Sequence, residues 1–132
     1  MWLYNKEPFE ESGEWTSFVY LITNLTNDKK YIGKKGFTFS KTKQVKGKKK
    51  RIKVESDWKS YYGSSDDLKA DVEKLGEKAF RREILRLCKS KGEASYFEAK
   101  MQFENNVLET DGWYNSHIML RVHKRHLTFL KG

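Results

Sequence analysis

Phe18-Val19-Tyr20-Leu21-Ile22-Thr23, then Asn24-Leu25-Thr26-Asn27-Asp28, then Lys29-Lys30-Tyr31-Ile32-Gly33-Lys34: this stretch decides the fold. The first piece is apolar and β-rich, the second carries turn chemistry and the third resumes as a short strand, so together they read as an antiparallel hairpin. Side chains alternate along a strand, which places Phe18, Tyr20 and Ile22 on one face and Val19 and Leu21 on the other. Tyr20 and Tyr31 then face each other across the hairpin as a surface-directed pair. Alone, such a pair is ordinary cross-strand aromatic packing, worth ~0.2–1 kcal/mol.

Upstream, residues 1–16 hold Trp2, Tyr4, Phe9 and Trp15 with four glutamates and the only proline, Pro8. They show no clear period and read as an irregular N-terminal arm whose aromatics pack on the domain. Downstream, Gly33 and Gly36 break the strand and open a basic insertion over residues 37–56. Lys41, Lys43, Lys46, Lys48, Lys49, Lys50, Arg51 and Lys53 supply eight positive charges there with no acid among them. The lysine-rich part up to about Val54 has little apolar periodicity beyond Val45, Ile52 and Val54, and it reads as a flexible loop or a protruding hairpin turning at Gly47, outside the core in either case.

That segment accounts for nearly all of the formal net charge of +9 on 132 residues. A solvated loop that keeps the chain soluble or a nuclear-localisation patch would have the same composition. A polyanionic partner is the more specific implication, because each Lys or Arg set against a phosphate releases condensed counterions. The length suits one domain, and 37% hydrophobic with 14% aromatic residues gives it a modest aromatic core. Cys88 is the only cysteine, which excludes an intrachain disulfide framework and a cysteine zinc site and points to a reducing, cytoplasmic setting. No stretch approaches the ~20 apolar residues of a membrane span, and an apolar export segment is lacking.

Ser64, Ser65 or Asp66 is placed to cap a helix running to Leu75, with Leu68, Val72 and Leu75 as its apolar stripe and Gly76 at its stop. Phe80 to Cys88 alternates imperfectly and reads as a third, central strand. Glu93 to about Leu108 repeats Ala94, Phe97, Met101 and Val107 or Leu108 at helical spacing, with Ser90 or Gly92 to open it. Trp113 to Leu130 reads only loosely as strand or short helix. His117, His123 and His126 lie in this basic C-terminal tail (116–132) without an acidic or cysteine partner to complete a metal site.

The hairpin resembles the GIY-YIG nuclease superfamily, with Phe18-Val19-Tyr20 as first motif and Tyr31-Ile32-Gly33, followed by Lys34-Lys35, as second. The order of the remaining features is similar too: basic region, Gly63-Ser64-Ser65 opening a helix, Gly76, a strand, a helix bearing Glu98, then Trp113-Tyr114-Asn115. Trp58 to Ser65 looks most like the matching segment of small freestanding phage-type homing endonucleases. One departure is Phe18, which stands where the first motif usually begins with Gly.

The resemblance implies one α/β (α+β) domain over 1–132, a three-stranded antiparallel sheet flanked by helices, with a basic insertion after the second strand. It implies an endonuclease hydrolysing DNA phosphodiesters with one Mg²⁺ or Mn²⁺. Tyr20 matches the general base or water-positioner, Tyr31 the second tyrosine, Glu98 the metal-binding glutamate and Asn115 the late asparagine. Lys34 and Lys35 stand where their charge would favour a Tyr20 phenolate. The family's phosphate-clamping arginine falls nearest Arg51, with Lys59 as fallback, and Tyr61 or Tyr62 takes the place of a residue one helical turn on. Lys35, Lys46, Lys48, Lys49, Lys50, Lys53 and Lys59 would contact the nucleic-acid backbone, which positions rather than specifies. Specificity would then be loose, or come from a homodimer or accessory protein. The rival functions are a non-catalytic nucleic-acid-binding module of this fold and a factor docking an acidic protein.

Overall fold

The structure is a computed structural model, and the residues it describes are 1–119. The hairpin forms as read: β3 (Ser17–Asn24) pairs antiparallel with β4 (Lys30–Gly36), Tyr20 opposite Gly33 and Ile22 opposite Tyr31. The turn is held by asparagine side chains, as Asn24 Oδ1 accepts from the Thr26 N–H at 3.0 Å and Asn27 Oδ1 from the Lys29 N–H at 2.9 Å. Tyr20 and Tyr31 are therefore diagonal rather than directly opposed. Their ring centroids stand 6.1 Å apart.

On the other side of β3 runs β7 (Phe80–Cys88), antiparallel. Its imperfect alternation has a physical cause. Val19 pairs with Arg86 and Tyr20 with Ile84, so Leu85 is an extra, bulged residue and the inward face changes phase from Phe80, Arg82 and Ile84 to Leu87.

The three-stranded sheet is corrected to five, in the order β2-β1-β7-β3-β4. The two additions are β1 (Trp2–Tyr4) and β2 (Glu7–Phe9), from the arm read as irregular. Asn5 and Lys6 take positive φ (51° and 68°) and make a two-residue turn without glycine. Strands of three residues are too short to show a period, and the parallel pairing of β1 with β7 joins distant parts of the chain. Trp2 drives that pairing: its ring packs edge-on against Phe18 at 5.0 Å and Tyr20 at 5.4 Å, and its Nε1–H donates to the Trp58 carbonyl at 2.7 Å.

The basic insertion is a hairpin with its own two-stranded sheet, β5 (Thr38–Val45) and β6 (Lys48–Glu55). Lys46 and Gly47 turn it with φ of 51° and 75°. The boundary at 37 is corrected. Phe37 is fully buried and stacks on Phe18 at 4.6 Å, so the insertion leaves the core only after it.

Ser65 caps α1 (Asp66–Leu75) by accepting from the Leu68 N–H, and Gly76 ends it at φ 88°. Leu68 is buried and Val72 partly so, but Leu75, the helix's last residue, is exposed. Ser90 caps α2 (Lys91–Glu104) in the same way, through the Glu93 N–H. This helix stops short of the expected Leu108, yet a turn with Asn106 at φ 52° still buries Val107. One sheet face carries the aromatic cluster of Trp2, Phe18, Tyr20, Phe37 and Trp58 with Leu68 of α1, and the other packs Val19, Ile32 and Cys88 on Ala94 and Phe97 of α2. Beyond the parallel bridge of Trp113 to Lys30, residues 114–119 have no regular structure. The expected tail contacts of His123 and His126 lie outside the described residues. Among the described residues no helix is long and apolar enough to cross a membrane.

Candidate active site

β4 is the sheet's edge, and an unpaired edge needs partners for its outward N–H and C=O groups. Lys30 finds them in the backbone, donating to Gly112 O at 2.9 Å and accepting from the Tyr114 N–H at 2.7 Å. Ile32 finds them in side chains. Its N–H donates to Asn115 Oδ1 at 3.1 Å, and its carbonyl accepts from Asn115 Nδ2 at 2.8 Å and Gln102 Nε2 at 2.9 Å. The Lys34 backbone amide faces the Glu98 carboxyl and draws its pKa down. Gln102, one turn beyond Glu98 on α2, thus acts with Asn115 as a substitute sixth strand.

The same arrangement encloses a cleft of about 570 Å³. Tyr31 and Lys34 line it from β4, Ser64 to Asp67 from the start of α1, Glu98 and Gln102 from α2, and Tyr114 to His117 from the segment that follows. Tyr114 ties these walls together, its hydroxyl donating to Asp71 Oδ2 at 2.6 Å and accepting from Asn24 Nδ2 at 3.0 Å.

Of the expected site residues, the fold gathers Tyr31, Lys34, Glu98 and Asn115 around this cleft. The Tyr31 hydroxyl shares a hydrogen bond with Ser64 Oγ at 2.8 Å. Burial holds its pKa above the usual tyrosine range, with the Ser64 bond opposing. Burial likewise raises Glu98, against the pull of the Lys34 ammonium. Lys34 Nζ also donates to Ser95 Oγ.

Tyr20 departs from expectation. It is fully buried, and its hydroxyl has no partner at hydrogen-bonding geometry. The opposing Gly33 makes this possible: a Cβ there would stand 2.6 Å from Tyr20 Cζ and 2.9 Å from Tyr31 Cε1, so only glycine lets the ring lean beneath β4. Burial, then the neighbouring Tyr61 and Tyr31 phenols and Glu98, raise the Tyr20 pKa well above its ordinary value. The expected lysine-assisted phenolate is therefore corrected to a neutral phenol in the second layer. Lys35 is occupied elsewhere, in an ion pair with Asp57 at 2.6 Å and over the Tyr61 ring at 4.1 Å.

Arg51 does not reach the cleft. It sits exposed on β6 opposite Thr42, because the interval counted back from Gly63 is a hairpin rather than a helix. Lys46, Lys48, Lys49, Lys50 and Lys53 are exposed on the same hairpin. Lys59, the fallback, lies beside Glu55 at 3.9 Å and outside the cleft. Tyr61 packs edge-on against Tyr20 at 6.0 Å, whereas Tyr62 stacks under the Arg82 guanidinium at 4.2 Å. Arg82 spends its donors on the Lys59 and Tyr61 carbonyls and fixes that loop. Ser64 and Gln102 were missed in the sequence. Gln102 was legible as the same-face neighbour of Glu98, one helical turn on.

Among the described residues no group of three His, Cys, Asp or Glu side chains could hold a metal ion. The cleft nevertheless fits a Mg²⁺-type ion shared with a phosphate, since such ions use one or two carboxylates and keep several waters. Glu98 supplies the carboxylate, and the buried Gln102 Oε1, which lacks a protein partner, offers an acceptor on the same wall.

The edge strand thus brings a phenol, an ammonium and a carboxylate to one cleft beside a mixed sheet. The family model described as "Putative endonuclease segE, GIY-YIG domain" matches residues 2–118, and the chain belongs to this GIY-YIG domain family. Comparison with curated proteins and with solved structures gives no match.

Proposed function

We propose that the chain is a divalent-metal-dependent endonuclease hydrolysing DNA phosphodiester bonds. Convergence of Glu98, Lys34 and Tyr31 on one open cleft, in a chain of this family, carries the reading. Glu98 would hold one Mg²⁺ or Mn²⁺, whose charge, when bound, neutralises the nonbridging phosphate oxygens. Lys34 adds a fixed positive charge beside the phosphate, in a half-enclosed site where electrostatic stabilisation is stronger than in water. The neutral Tyr31 hydroxyl, oriented by Ser64, positions the attacking water by hydrogen bonding. Tyr20 holds the Tyr31 ring and the Gly33 backbone in place from beneath.

One observation favours the rival binding module: no arginine lines the cleft among the described residues. Supercoiled plasmid incubated with Mg²⁺ or Mn²⁺ separates the two. Nicking or linearisation by wild type, lost in Glu98→Ala and strongly reduced in Tyr31→Phe with DNA binding retained, is the expected result. Binding without cleavage in either metal would overturn the enzymatic reading.

A further inference from the structure

We infer that the β5–β6 hairpin is a DNA-reading ribbon that enters the major groove with its Ser40, Thr42, Gln44, Lys49, Arg51 and Lys53 face toward the bases. This rests on the reading of DNA as substrate. Residues paired across a ladder share a face, and the register sets Ser40 opposite Lys53, Thr42 opposite Arg51 and Gln44 opposite Lys49. All six are exposed. The opposite face differs in chemistry: Phe39 and Val54 pair near the root, Lys41 meets Ile52, and Lys43 stands directly against Lys50.

Four observations point to duplex DNA rather than solvent. Like charges directly across a ladder destabilise it, and Lys43 with Lys50 has no acid nearby on the ribbon before Glu55 at the root. A polyanion relieves that repulsion and gains counterion release. Dimensions agree as well. Strands of eight residues extend about 26 Å, and the ~12 Å wide major groove of B-DNA admits a two-stranded ribbon.

The polar face also has the right inventory for base edges. Arg51 presents the planar fork that pairs with guanine O6 and N7, and Gln44 the amide that pairs with adenine N6 and N7. Lysines of the other face would reach the phosphates that flank the groove's mouth. Finally, the root is stiff and close to the chemistry. β4, bearing Tyr31 and Lys34, runs directly into the buried Phe37, and Ser56 closes the joint by donating its N–H to Phe37 O at 2.8 Å and its Oγ–H to Gly36 O at 2.6 Å. A ribbon fixed in the groove therefore sets which phosphate meets the cleft.

The test measures binding separately from cutting. Non-cleaving Glu98→Gln protein is used to select bound duplexes from a randomised pool, alone and with Arg51→Gln or Lys43→Ala/Lys50→Ala added. The expected result is a guanine preference that Arg51→Gln moves toward adenine at one position, by about ten-fold. Lys43→Ala/Lys50→Ala should weaken all sequences alike and flatten the salt dependence. Replacing guanine by 7-deazaguanine should weaken the parent protein and leave the Arg51→Gln variant indifferent. Arg51 is exposed, so Arg51→Gln should leave the thermal midpoint unchanged, and removing the Lys43–Lys50 repulsion should not lower it. A flat selection, a preference untouched by Arg51→Gln, indifference to 7-deazaguanine, or no duplex binding would each overturn the inference. Binding with these signatures, alongside wild type that never cleaves plasmid, would instead sink the nuclease reading alone.

Discussion

Asn115→Ala is expected to destabilise the edge strand first and to impair cleavage as a consequence. Asn115 is the sole side-chain acceptor for the Ile32 N–H, whereas the Ile32 carbonyl is shared between Asn115 and Gln102. Ile32 is 1% exposed, so water cannot replace the lost partner without opening the strand. An orphaned buried donor costs ~1–3 kcal/mol. A loss of ~2 kcal/mol lowers the thermal midpoint of a domain this size by roughly 6–10 °C. Gln102→Ala should cost only ~1 kcal/mol, because Asn115 still serves the carbonyl. The double variant leaves both groups bare and should exceed the sum of the singles by ~1 kcal/mol, as partners sharing one acceptor do. Urea unfolding of the four proteins measures this, and amide exchange at Ile32 locates it. Cleavage should fall because Ile32 lies between Tyr31 and Gly33, and a loosened β4 lets Tyr31 and Lys34 drift. Loss of cleavage with unchanged stability and unchanged Ile32 exchange would refute this and assign Asn115 a direct chemical role.

Gly33→Ala should cost ~1–3 kcal/mol by overpacking and should disable cleavage, since the added methyl meets both phenol rings. Adding Tyr20→Phe removes the nearest atom and should restore part of the stability; strictly additive losses would contradict the close approach. Glu98→Gln should abolish cleavage yet stabilise the fold. Because burial raises the folded pKa of Glu98, the unfolded chain, with a glutamate pKa of ~4.3, releases the proton more readily, and stability falls as pH rises through the folded value. Denaturation at acidic and neutral pH should show the variant gaining relative to wild type at the higher pH, and a relative loss there would count against the burial of this carboxyl. Burial also pushes the Cys88 thiol up to about 12, leaving little thiolate to react. A thiol reagent should label Cys88 only upon unfolding, and rapid labelling of the native protein would disprove its burial.

Signals confined to neighbouring residues were legible in the sequence. The β3–β4 hairpin followed from alternation and asparagine turn chemistry, and the starts of both helices from short runs of cap candidates, Ser64 to Asp66 and Ser90 or Gly92, among which the structure selects Ser65 and Ser90. The charge of the insertion and the order of motifs that marks the family needed no coordinates either. In each case the cause lies within a few bonds of the effect.

Tertiary structure decided the rest. Only the folded chain brings Trp2 beside Phe18 and so turns an unpatterned arm into two strands, and only the opposition of Gly33 lets Tyr20 sink beneath β4 while Tyr31 stays at the cleft. Arg51 was placed by counting along a segment whose pairing, not its length, sets its direction. Asn115 and Gln102 acquire their role because β4 is an edge, a property that belongs to the sheet and to no residue within it.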